Sequence, residues 1–132
     1  GNMMGAYNFV KEAHSAGVKP IIGCEFYLCQ DRNNKKNKDD GFQTVLIAKN
    51  KAGYHNLAKL SSIAFVEGFY YVPRIDREVL VQYKEDLIAT TGAVWGEIPY
   101  LILNAGEAQA EEAFLWWKEQ FQDDLSPNTP SL

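Results

Sequence analysis

The 132-residue chain is 46% hydrophobic and 23% charged, the balance of an ordinary soluble globular protein of single-domain length. Its net charge of −4 argues against a self-sufficient nucleic-acid binder, which clusters Lys and Arg against phosphates, though not against a piece of a larger nucleic-acid enzyme. No apolar run is long enough to span a membrane, and the N-terminus lacks the basic-then-apolar pattern of a secretory signal.

In chain order, residues 3–16 place Ala6, Phe9, Val10 and Ala13 at helical spacing, with Gly17 as a stop. Pro20 bars extension of that helix. Residues 21–29 (IIGCEFYLC) read as a buried strand. Residues 30–41 (QDRNNKKNKDDG) hold no apolar side chain and read as a solvated loop, with phosphate contact as the alternative. Residues 42–48 (FQTVLIA) read as a second buried strand. Asn50 caps a helix over 50–66, with Ala52, Leu57, Leu60, Ile63 and Ala64 on its apolar face, and Gly68 ends it.

Residues 69–76 (FYYVPRID) form an extended connector, and Asp76 caps a helix over 77–83. Residues 87–91 (LIATT) make a third strand and 92–96 a loop. A short helix covers 97–104, with Pro99 in its first turn, and an amphipathic helix covers 107–121, with Ala110, Ala113, Phe114 and Trp117 on one face. The tail 125–132 is rich in Pro and Ser and is expected to be disordered. The domain is therefore expected to span 1–124. All three strands look apolar on both faces, which predicts an α/β fold with a mostly parallel sheet covered by helices.

No phosphate-binding glycine loop, dinucleotide fingerprint, nucleophile elbow or zinc-protease helix is present. Cys24 and Cys29 point to opposite faces of one strand and read as reduced, buried thiols. His14 and His55 have no ligand neighbours in sequence and read as surface groups. Glu25 is the leading candidate. A carboxylate within an apolar strand needs a metal, an arginine or backbone N–H donors, unless it faces solvent. Glu97, beside Trp95 and two glycines, is either a site carboxylate or a first-turn helix acid. Arg74, in the segment YYVPR, is a candidate phosphate or interdomain contact and the adjoining tyrosines are candidates for stacking, with a structural role, tyrosines packed over a helix, as the commoner reading.

The strings GNMMGAYNFVKEAHSAGVKPIIGCEFYL, VLIAKNKAGYHNLAKLSSIAFVEGFYYVPRIDREVL and LIATTGAVWGEIP resemble the polymerase-and-histidinol-phosphatase (PHP) domain found at the N-terminus of bacterial replicative polymerase alpha subunits. The resemblance covers about residues 1–124. It implies a distorted α/β barrel, here partial, whose strand ends hold His, Asp, Glu and Cys ligands for divalent metals (Zn, Mn or Mg). In some members such a site removes nucleotides from a DNA 3′ end; in others it is degenerate and serves as scaffold, including for a proofreading exonuclease. Several metals suit phosphodiester hydrolysis because they generate hydroxide and stabilise the leaving oxygen.

Carried over by position, the family's Glu ligand falls on Glu25. A His position falls on Gln43 and a Cys position on Ala93, so both are degenerate. The other ligand strings would lie before residue 1 or beyond residue 132. The strand that the family places after the last helix is replaced by the Pro-rich tail. These points imply a fragment of the domain, non-catalytic and without a cofactor of its own. Its partner is then the remainder of a cytoplasmic polymerase alpha subunit, with DNA reached only through that parent. Two alternatives stand beside this. One is a phosphoesterase site completed by missing segments or by oligomerisation. The other is an interaction module, whose open sheet edges would promote self-association.

Overall fold

The computed structural model describes residues 1–39, 41–92 and 94–126. Five strands form one sheet in the order β3-β1-β2-β4-β5: β1 (Gly23–Leu28), β2 (Phe42–Ala48), β3 (Arg74–Ile75), β4 (Leu87–Thr90) and β5 (Leu125–Ser126). Among the described residues five α-helices accompany them: α1 (Ala6–Ser15), α2 (Lys51–Val66), α3 (Arg77–Gln82), α4 (Glu97–Asn104) and α5 (Glu107–Phe121).

The expectation of a mostly parallel sheet is corrected. The three strands visible in sequence pair antiparallel, β1 with β2 and β2 with β4. Only the short outer strands pair in parallel, β3 with β1 and β5 with β4. The connection decides this. Among the described residues no helix separates β1 from β2, and a return without a crossover helix reverses direction. Each parallel pair is reached through intervening helices. The sheet is open and mixed rather than a closed barrel.

The expectation that the strands are buried on both faces is also corrected. In β1, Cys24, Phe26 and Leu28 are buried while Gly23 and Glu25 are exposed. This alternation is that of a sheet with one packed face. The packed face carries Phe26, Leu28, Leu46, Leu87 and Ala89. Against it lie Leu57, Leu60 and Ala64 of α2, Val79 and Leu80 of α3, and Trp117 and Phe121 of α5. The first helix contributes less than its pattern predicts: only Ala6 is buried, and Phe9 is exposed. In α5, Phe121 takes the inward place expected of Phe114, which is exposed.

Local signals set the helix ends. The Asn50 side chain accepts from the Gly53 N–H at 2.9 Å and starts α2. Asp76 accepts from the Val79 N–H at 3.2 Å and starts α3. Gly17 takes φ 72°, a left-handed conformation that closes α1. Leu125 and Ser126, read from sequence as the start of a disordered tail, form β5 beside β4. The rest of that tail, 127–132, lies outside the described residues.

Candidate functional site

Glu25 is the third residue of β1 and is exposed on the sheet face opposite the core. Its cross-strand partner is Val45, and the neighbouring pair is Tyr27 with Gln43. Side chains two residues apart on a strand share a face, so Glu25, Tyr27, Gln43 and Val45 stand together. Ile47 and Ile88 continue the same face. Glu25 and Gln43 are diagonal neighbours, with Cα atoms on the order of 7–8 Å apart for such a pair. The structure thus brings together two of the three positions that the resemblance singles out. The third, Ala93, lies outside the described residues.

These residues do not fit a metal pair. The shared face offers one carboxylate and one amide, and an amide is a weak ligand that cannot neutralise a divalent cation. A divalent site built from side chains needs three or four donors. Among the described residues, no three His, Cys, Asp or Glu side chains stand close enough to hold a metal ion. His14 and His55 are both exposed, on α1 and α2.

The other sequence candidates occupy structural places. Arg74 is fully buried. Its Nε donates to the Gly68 carbonyl at 2.9 Å and its Nη1 to the Asp39 carbonyl at 2.9 Å. Its Nη2 donates to the carbonyls of Arg32 and Asn34, at 3.2 and 3.1 Å. The guanidinium is therefore turned inward, binding its own loop where an exposed phosphate contact would need it turned out. Glu97 accepts from Arg77 Nη2 at 2.7 Å and from Trp117 Nε1 at 2.9 Å. The Arg77 guanidinium lies 4.3 Å from the centre of the Trp116 ring. Glu97 thus ties α3, α4 and α5 together.

Arg32 escaped the sequence reading because it sits in an apolar-free loop. Its Nη1 meets Asp76 at 3.0 Å and Glu78 at 2.7 Å, and its Nε meets Glu67 at 3.1 Å. Its backbone N–H also donates to Asp76 at 3.1 Å. These carboxylates, Glu78 first and then Glu67 and Asp76, push the guanidinium pKa above its ordinary value. No local spacing signals such a partner, since Arg32 and Asp76 are 44 residues apart.

A PHP domain model matches residues 1–126. The chain belongs to the PHP domain family. It is 46% identical over 129 residues to DNA polymerase III subunit alpha of Borreliella burgdorferi, covering 95% of this chain and 11% of that protein. The subunit from Thermus aquaticus is 48% identical over 108 residues, covering 78% of this chain and 9% of that protein. That of Chlamydia muridarum is 41% identical over 129 residues. The PHP domain chain thus spans about a tenth of the length of the curated relatives it matches, 10% in the last case.

Proposed function

We propose that this chain is a portion of the PHP domain of a replicative DNA polymerase alpha subunit and acts as scaffold rather than catalyst. The relatives at 41–48% identity support the first half of this reading. The observation that carries the second half is the isolation of Glu25. The family's carboxylate position stands on an open sheet face beside Gln43, Val45 and Tyr27, with no cluster of ligands among the described residues. Glu25 is then a vestigial ligand, and Gln43 and Ala93 are positions where ligands have been lost. The partners are the remainder of a cytoplasmic polymerase alpha subunit and, through it, a proofreading exonuclease. Nucleotidyl transfer belongs to the parent.

The test is incubation of the chain with Mn²⁺ or Zn²⁺ and an end-labelled primer-template. Neither extension nor shortening of the primer is expected. A nuclease activity that disappears in Glu25→Ala would overturn the scaffold reading. Metal analysis adds an independent readout, since a stoichiometric ion lost in the same variant would restore a working site.

A further inference from the structure

A cleft of about 500 Å³ opens between α1, the segment leading into β1 and the junction of β2 with α2. It exists because α1 stands away from the core. That helix buries only Ala6, and Val10 is left half-buried along the cleft. Ile22 and Ala48 supply more of the apolar lining, and the Ala48 N–H on the Ile22 carbonyl at 2.8 Å holds them together. Tyr7 of α1 and Tyr54 of α2 add two rings. A mostly apolar concavity of this size with a few polar groups is the form of a small-molecule site.

The polar groups share one sign. No Asp or Glu lines the cleft, while His14, Lys49 and Lys51 do. Residues 42–66, which supply one side of it, hold three lysines and no carboxylate. Lys49 is bridged to Asp124 at 3.1 Å, which offsets its charge. Lys51 is exposed and has no such partner among the described residues. It is also the first residue of α2, where a cation opposes the helix dipole, and no acid in that turn compensates. Lys51 therefore costs the helix stability as the chain stands. An anion seated beside it would offset that cost.

We propose that this cleft binds a small organic anion, an aromatic or aliphatic body that carries one phosphate or carboxylate group. The body lies on Val10, Ile22 and Ala48. The anionic group meets Lys51, with the His14 imidazole as a second donor. A cation would find no counter-charge in this lining, and a neutral apolar molecule would leave Lys51 unpaired. Glu25 and Gln43 are not among the lining residues.

Isothermal titration calorimetry of the 132-residue chain with phenyl phosphate and with phenylacetate tests this. Saturable binding of at least one is expected, and it should weaken as salt is added. Inorganic phosphate and benzylamine should bind far more weakly, since one lacks the apolar body and the other the negative charge. Lys51→Glu should weaken binding about tenfold or more, because a charge-assisted contact becomes a repulsion. Its thermal midpoint should rise at the same time, because an acid then stands in the first turn of α2. Lys59→Glu makes the same change of charge at an exposed position of α2 outside the lining, and should bind as the parent does. Val10→Phe, which fills the cleft from α1, should abolish binding. Absence of saturable binding by both anions, parent-like binding by Lys51→Glu, equal weakening by Lys59→Glu, or binding of benzylamine as tight as that of the anions would each overturn the proposal. Glu25→Ala should bind the anion as the parent does, so this site and the scaffold reading fail separately.

Discussion

Cys29 lies just beyond β1, buried, with its N–H on the Ile75 carbonyl at 2.8 Å. Burial pushes its thiol up to about 11, against the pull of the Arg74 charge, and burial pushes Cys24 up as well. The folded state thus favours the neutral thiol more than the unfolded chain does. Its contribution to stability is fully present below the unfolded value of about 9 and is lost as pH rises through about 11. The thermal midpoint is therefore expected to fall between pH 9 and 11, and to fall less steeply in Cys29→Ala. An identical pH profile in that variant would refute the assignment. That both cysteines are free and buried was legible from the apolar run GCEFYLC, although only Cys24 lies within β1. The fate of the charged candidates was not. Glu25 and Arg74 are both polar residues within apolar surroundings, and nothing in sequence says which one faces out. The fold exposes Glu25 and seals Arg74 from solvent.

Caps and periodicity are local, so the helices over 51–66, 77–82, 97–104 and 107–121 could be placed from sequence to within a residue or so. Loop 30–39 is a different case. Its composition is that of a solvated surface segment, yet it is pinned from beneath by Arg74 and from its own side by Arg32 and Lys35. Arg74→Lys keeps the charge but cannot reproduce a planar fork that reaches four carbonyls. A loss of about 3 kcal/mol is expected in denaturant unfolding, since buried carbonyls are left unpaired. A change below about 0.5 kcal/mol would show that the loop is not anchored there. Gly68 belongs to the same device. A Cβ at Gly68 would collide with the Arg74 carbonyl, so the close approach that lets Arg74 reach the Gly68 carbonyl requires glycine.

Across the molecule, one continuous core joins β1, β2 and β4 to α2, α3 and α5. A single core of this kind is expected to unfold as one unit. Tryptophan fluorescence, which reports buried Trp117, should share its denaturant midpoint with far-ultraviolet circular dichroism. Separated midpoints would show that the α4–α5 layer unfolds independently of the sheet. By itself the sequence determined the helices, their caps, the three long strands and the family, because propensity, capping and characteristic strings are carried by neighbouring residues. Strand direction, the existence of β3 and β5, the one-sided burial of the sheet and the cleft between α1 and α2 were decided only by the tertiary structure. Each depends on which distant segments pack together. An apolar run such as FQTVLIA suits a strand covered on one face as well as a strand covered on both.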